Sequence, residues 1–421
     1  MKYIFVPLGS AGDVNPITWL ARLMAARGHD VTVVAHAGMA HVPERAGLRT
    51  VSVGKVADHD SIVANPDLWH PDRAFGLLAS TFADRAREMI PAIRAEVVPG
   101  GTVLVAAAIA IGARIAAEAD RLPLITVQLQ PSVFMSEDDR PLLDPRAAFL
   151  QRSPAWVWRS FSWLIHRAID SKVAAQVNTV RAENGLRDPV RGIMRDYWIS
   201  PQRVLALFPD WYAPRRADWP PQTVLTRFPL YDGEAAPDPA AEAFLAEGTP
   251  PILFTPGSAN MWGKPFFEAA AAACARLGKR GMLVSGYSGH LPGELPQGVR
   301  AFGSLPFGRV FERCAAVVHH GGVGTSAQGL AAGVPQLIMP MAHDQPDQAQ
   351  RLKRLGVGDY LLPKDFRAQA VAEKLADLLS STRVGTACRD LKARMAAQMP
   401  PGRVADLLQS AFTPATRATS P

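Results

Sequence analysis

Two short runs of residues hold most of the chemistry in this chain. One is Gly9-Ser10-Ala11-Gly12-Asp13. The other is His319-His320-Gly321-Gly322-Val323-Gly324-Thr325. In the second run, glycines let the backbone approach a phosphate closely. A helix starting near Thr325 would aim its unpaired N–H groups and its positive dipole end at an anion. Histidine and threonine add side-chain donors. The run is not a P-loop, because no Lys-Ser/Thr pair follows the glycines. An ordinary glycine-rich turn would explain the glycines but not the paired histidines. Beyond Gly333 comes His343-Asp344-Gln345-Pro346-Asp347-Gln348. A carboxylate beside an amide can grip vicinal hydroxyls, as sugar recognition requires. Alone, Asp344-Gln345 would be an unremarkable polar loop.

In the first run, Asp13 stands where a strand gives way to a helix, the edge at which parallel sheets place ligands. It can serve as a base there. Equally, Asp13 or Asn15 can cap a helix beginning at Pro16, a residue suited to a first turn. A dinucleotide site is disfavoured. The glycines do not form G-x-G-x-x-G, and the second strand ends in His36 rather than an acidic residue.

These residues need elements to position them. Apolar strands alternate with helical stretches twice over, the pattern of parallel-sheet α/β domains. The first series has strands at 2–8, 31–35, 102–107 and 123–128, a helix at 16–27 and one or two long helices within 147–184. The second has strands at 251–255, 281–285, 315–319 and 335–340. The expected division is a first domain over 1–215, a Pro-rich linker over 216–240, a second domain over 241–400, and a helix and tail over 401–421 that pack back on the first domain.

The 421-residue chain is long enough for two cores, and 48% hydrophobic and 20% charged residues are ordinary for a globular protein. No run of about 18 to 20 uncharged apolar residues is present, so no membrane span is expected. Three scattered cysteines, Cys274, Cys314 and Cys388, make neither a disulfide framework nor a metal spacing. That favours a reducing cytoplasm, or the inner face of a membrane. A net charge of +7 points to anionic partners. The arginines are scattered without interleaved aromatics, which argues against nucleic acid.

Together the two runs and the Asp344-Gln345 pair resemble the inverting GT-B glycosyltransferases of the UDP-glycosyltransferase-like family. The donor signature of that family is similar to residues 304–358. The resemblance implies an α/β fold of two Rossmann-like domains facing each other across a cleft. It implies diphosphate contacts from Gly257, Ser258, His320, Gly322, Gly324 and Thr325, and sugar contacts from Asp344 and Gln345. The base would lie against Ser304, Leu305 and Phe307. The acceptor is expected near Ser10, Gly12, Gln130 and Trp156, with Asp13 as the catalytic base. No cofactor or metal is implied. The nucleotide-sugar is a co-substrate, and helix donors with the two histidines would take a cation's place.

Two departures from the family pattern matter. The usual Trp-x-Pro-Gln element is Ser304-Leu305-Pro306-Phe307 here, which suits a dTDP-sugar better than a UDP-sugar. The usual catalytic histidine is replaced by Asp13, and Ala106-Ala107-Ala108 stand where its orienting aspartate would be. A finer likeness, to the rhamnosyltransferases of rhamnolipid biosynthesis, runs along nearly the whole chain. Asp67-Leu68-Trp69, Phe208-Pro209-Asp210-Trp211 and Phe228-Pro229-Leu230-Tyr231-Asp232-Gly233 are among its segments. It implies dTDP-L-rhamnose as donor and a hydroxyalkanoyloxy-alkanoate as acceptor, with peripheral membrane association. Other readings stay open: UDP-glucose or another donor with a sterol, flavonoid or polyketide, or a non-catalytic accessory protein of the same fold. Between Phe149 and Ile169, aromatic and basic residues alternate, which fits either a lipid-binding face or a core helix with solvated arginines.

Overall fold

The computed structural model describes residues 1–70, 72–233, 236–258, 260 and 263–412. Two parallel sheets organise it. The first contains β1 (Lys2–Val6), β2 (Asp30–His36), β3 (Arg49–Val53), β4 (Thr102–Ala107), β5 (Leu124–Gln128), β6 (Arg203–Ala206) and β7 (Thr223–Leu225), in the order β3-β2-β1-β4-β5-β6-β7. The second contains β8 (Ile252–Thr255), β9 (Gly281–Val284), β10 (Val299–Phe302), β11 (Ala316–His319), β12 (Gln336–Ile338) and β13 (Gly358–Tyr360), in the order β10-β9-β8-β11-β12-β13. Strands β1, β5, β8, β9, β11 and β12 are buried along their whole length, so their sequences are nearly continuous apolar runs.

Both sheets reverse their winding direction at one place: between β1 and β4 in the first, between β8 and β11 in the second. Open parallel sheets bind ligands at such a switch point, beyond the carboxyl ends of the strands. Asp13 follows β1, Gly257 follows β8 and His320 follows β11, so the chemistry read from the sequence falls at the two switch points.

Three expectations about boundaries are corrected. The first domain does not stop at 215: β7 completes its sheet inside the stretch expected as linker. The three-residue edge strand is hidden among prolines, which are tolerated at a sheet edge. The opening helix runs Ala11–Ala25 and therefore starts five residues before Pro16. The expected long-helix stretch resolves into a short 3-10 segment, Pro145–Arg152, and a long helix, Ala155–Glu183. The closing helix Pro401–Ser410 sets Val404, Ala405 and Leu408 into the first-domain core beside the opening helix. Arg27 donates to the Gly402 carbonyl and pairs with Asp406 there. Residues 413–421 of the expected tail lie outside the described residues.

One core belongs to both domains. It joins Phe208, Tyr212, Trp219 and Phe228 of the first to Leu330, Ile338, Leu352 and Leu391 of the second. Among the described residues, no helix is long and apolar enough to cross a membrane.

Candidate active site

Asp13 is the third residue of the opening helix. Ser10 is the cap, and its backbone N–H and hydroxyl both donate to Asp13 Oδ2, at 2.8 and 3.1 Å. This is a capping box with aspartate in the acidic position. The capping reading and the catalytic reading are therefore compatible: Oδ2 is held by Ser10, and Oδ1 has no donor among the described residues. Gly9 makes the arrangement possible. Its φ is 121°, and a Cβ there would collide with Asp13 Oδ2. Burial pushes the Asp13 carboxyl above the usual range, and the two Ser10 hydrogen bonds pull it part of the way back. Val6 pairs with Ala106, so the alanines at the end of β4 flank this turn with no second carboxylate.

The phosphate loop closes the other side of the cleft. The helix after β11 spans Val323–Ala332 with Gly322 as cap, so Gly324 and Thr325 are its second and third residues. The first intrahelical bond runs from Ser326 N–H to Gly322, which leaves the N–H groups of Val323, Gly324 and Thr325 for an anion. His320 packs between two glycines. A Cβ on Gly257, whose φ is 94°, would meet the ring at 2.6 Å, and one on Gly322 would meet Nε2 at 2.5 Å. Burial, then the neighbouring His319, pushes the His320 imidazole down to about 3, so it is neutral at working pH. Its Nδ1 has no protein partner among the described residues.

His319 is not a second phosphate donor, which corrects the expectation that both histidines serve the ligand. Its Nδ1 accepts from Gly321 N–H at 3.0 Å, and its Nε2 meets Gln336 Oε1 at 2.9 Å. Those bonds fix one tautomer and spend both ring nitrogens on shaping the glycine turn.

The candidate sugar clamp opens the helix Gln345–Arg354, with Asp344 as its cap residue. Gln345 Oε1 accepts from Met341 N–H at 2.8 Å and Ala342 N–H at 3.3 Å, so only its NH₂ is left for a hydroxyl. Burial foremost, with the Asp13 charge adding to it, raises the Asp344 carboxyl to about 7. The two carboxylates come from different domains, and the Asp13 charge is felt at Asp344.

The remaining expected contacts divide. Ser258 and Ser304 are exposed at the ends of β8 and β10, and Gly12 is exposed on the opening helix. Phe307 is half-buried and stacks on Phe311 at 4.6 Å. Leu305 is a core residue of the second domain and can offer a ligand only its backbone. Gln130 follows β5 and is half-buried. Trp156 points to solvent at 66% exposure, and no hydrogen bond or ring contact ties it to Asp13 or Gln130.

The structure adds groups that the motifs did not contain. Asp232 crosses from the first domain and accepts from Gly308 N–H at 2.6 Å and Gln328 Nε2 at 2.7 Å. It ties the turn after Phe307 to the phosphate helix. His343, in left-handed backbone at φ 63°, bonds the Leu68 carbonyl at 2.9 Å and sets its ring edge against Trp69. No group of three or more His, Cys, Asp or Glu that could hold a metal ion occurs among the described residues.

Two facing α/β domains, with a carboxylate on one lip and an anion-binding loop with a polar clamp on the other, define a GT-B glycosyltransferase. The comparisons with known proteins agree. Residues 3–136 match the glycosyltransferase family 28 N-terminal domain, and residues 284–410 match the erythromycin biosynthesis protein CIII-like C-terminal domain. An O-mycaminosyltylonolide 6-deoxyallosyltransferase of Streptomyces fradiae is 28% identical over 94% of both chains. A sterol 3-beta-glucosyltransferase of Arabidopsis thaliana is 27% identical, and the match covers 87% of this chain and 58% of that one. Among solved structures, a spinosyn rhamnosyltransferase complexed with thymidine diphosphate has a TM-score of 0.69 at 20% identity, covering 97% of this chain and 100% of that one. The calicheamicin glycosyltransferase has a TM-score of 0.71 at 20% identity, covering 99% of each. The chain is a glycosyltransferase of the GT-B fold, similar to glycosyltransferase family 28 in its N-terminal third and to the erythromycin biosynthesis protein CIII-like family in its C-terminal third.

Proposed function

We propose that this glycosyltransferase moves a deoxysugar from a dTDP donor, dTDP-L-rhamnose, to a hydroxyl of a hydrophobic, lipid-like acceptor, with inversion at the anomeric carbon. The diphosphate would lie on His320, Thr325 and the free N–H groups of the phosphate helix, with Ser258 beside them. These donors stabilise the charge that develops on the leaving group. Asp344 and the Gln345 NH₂ would hold sugar hydroxyls. The acceptor hydroxyl would give its proton to Asp13 Oδ1 as its oxygen attacks the anomeric carbon from the face opposite the diphosphate. One bond forms as one breaks, and inversion follows from that single displacement.

The observation that carries this reading is the position of Asp13 and of the unpaired N–H groups of the phosphate helix at the switch points of the two sheets. The Asp13 charge felt at Asp344 supports a base and a sugar clamp acting on one donor, as a single displacement needs. The dTDP preference rests on Ser304 and Phe307, which replace the indole and amide of the common family pattern. The similar fold of a rhamnosyltransferase solved with thymidine diphosphate supports it. A lipid acceptor rests on the likeness of the whole sequence to the rhamnolipid enzymes. The named relatives favour a second reading for the acceptor, a polycyclic or macrocyclic natural product or a sterol. We infer that neither metal nor cofactor takes part, so EDTA should leave the rate unchanged, and restoration of a lost rate by Mg²⁺ or Mn²⁺ would contradict this.

A donor and acceptor matrix tests the specificity. Turnover should be fastest with dTDP-L-rhamnose and hydroxyalkanoyl lipids. Exclusive use of UDP-glucose would overturn the donor assignment. Turnover confined to sterols, flavonoids or macrocycles would overturn the acceptor and leave the reaction class standing.

A further inference from the structure

Seven large apolar side chains are strongly exposed among the described residues, and four fall between 149 and 164: Phe149 at 70%, Trp156 at 66%, Trp163 at 55% and Leu164 at 56%. Three of these belong to the long helix Ala155–Glu183. At helical spacing Trp156, Trp163 and Leu164 share one broad side with the exposed Arg159 and Arg167. The helix is buried instead through Trp158 in its first half and, farther along, through Val173, Val177 and Val180 in the first-domain core. The helix has already spent one apolar side on folding. The exposed indoles of its first half need a different explanation.

The charge carried by this segment has one sign, and two acids that reach it from neighbouring elements, Glu137 and Asp196, are each paired with an arginine. From Leu150 to Ile169 the chain contains Arg152, Arg159, His166 and Arg167 and no Asp or Glu. Arg152 and Arg167 enter no ion pair among the described residues, and Arg167 lies over the Trp163 ring at 5.5 Å. Arg159 has only Glu137, at 3.6 Å. The first acid on the helix, Asp170, is occupied by the backbone N–H groups of Gly192 and Ile193.

We propose that this side of the long helix is a docking surface for an anionic lipid bilayer. The indoles and Leu164 enter the interface, where an apolar ring with one polar N–H is at home, and the unpaired arginines meet the headgroups. Arg152 and Arg167, without ion pairs and in the same segment as the exposed indoles, are complementary to anionic lipid headgroups. This surface is independent of the acceptor's identity, so it can fail without touching the proposed reaction.

Sedimentation of the full chain with vesicles tests the surface. One set is phosphatidylcholine alone, and the other contains phosphatidylglycerol as well. The chain should bind the phosphatidylglycerol vesicles with a blue shift of tryptophan emission, and should bind phosphatidylcholine alone at least roughly tenfold more weakly. Trp163→Ser with Leu164→Ser, and separately Arg152→Glu with Arg167→Glu, should each weaken binding by roughly tenfold or more. Calorimetric binding of dTDP should be unchanged in both double variants, which shows that they fold. Binding to neither vesicle, equal binding to both, or binding that survives both double variants would overturn the proposal. So would a self-association or protein complex that the same substitutions abolish without any vesicle binding.

Discussion

Asp13 and Asp344 are two carboxylates in one field. Asp13 must be ionised to accept a proton, and burial holds it above the ordinary carboxylate range. The rate should therefore fall on the acid side at a higher pH than a free aspartate would give. Asp344 is raised to about 7, by burial first and by the Asp13 charge as well. Because Asp344 is still protonated while Asp13 ionises, Asp344→Asn should leave the acid limb of kcat/KM in place, and a limb moved by this substitution would mean that Asp344 is the ionising group. The same shift bears on stability. The folded pKa of Asp344 lies above its unfolded value near 4, so between about pH 4 and 7 the native state holds the extra proton. Stability is lost as pH rises through that window. Asp344→Asn should therefore raise Tm more at about pH 8 than at about pH 5 in scanning calorimetry. His320 is a neutral donor, and hydrogen bonds to charged groups contribute roughly 1.5–3 kcal/mol. His320→Ala should weaken dTDP binding by roughly 10- to 100-fold in calorimetry, and unchanged affinity would make His320 a core residue.

At the scale of elements, most of the strands could be read from the sequence because buried parallel strands are uninterrupted apolar runs. The opening helix was harder. Gly12 and Asp13 are poor interior helix residues, and Pro16 suggests a first turn. The signal available was Ser10 three residues before Asp13, the spacing of a capping box. Strand β7 was hidden because Thr223-Val224-Leu225 is short and lies between Pro220-Pro221 and Phe228-Pro229. Asp232 gave no signal at all, since its partners Gly308 and Gln328 are 76 and 96 residues away. It braces the base turn against the phosphate helix, so Asp232→Ala should raise the donor KM by roughly tenfold while kcat stays within a few-fold, the pattern of lost uniform binding. An equal loss in kcat would place Asp232 in the chemistry instead.

Across the whole molecule, the cleft is set by contacts between the domains. Arg351 bonds Asp347 on its own helix at 2.7 Å and reaches Asp139 of the first domain at 2.7 Å, and all three groups are buried. Asp347 also accepts from the Leu142 N–H. Asp347 and Arg351 are spaced for a helical pair and could be read from the sequence. Their link to Asp139 could not, because it exists only once the domains meet. Removing one member of a buried charge network strands the others, at a cost of about 3–5 kcal/mol. Arg351→Ala should lower unfolding stability by that amount in denaturant titration. A loss under about 1 kcal/mol would mean that the network does not hold the domains together.

The most direct test of the account is Asp13→Asn, measured two ways on the purified chain. The substitution keeps the size of the Asp13 side chain and an oxygen for the Ser10 hydrogen bonds, but removes the basic carboxylate. Turnover with dTDP-L-rhamnose and a hydroxyalkanoyl acceptor should fall by roughly 10²-fold or more, the usual scale of general-base catalysis, while calorimetric affinity for dTDP stays within about twofold. Near-wild-type turnover by the substituted chain would contradict the assignment of Asp13 as the base, and with it the mechanism built across the cleft.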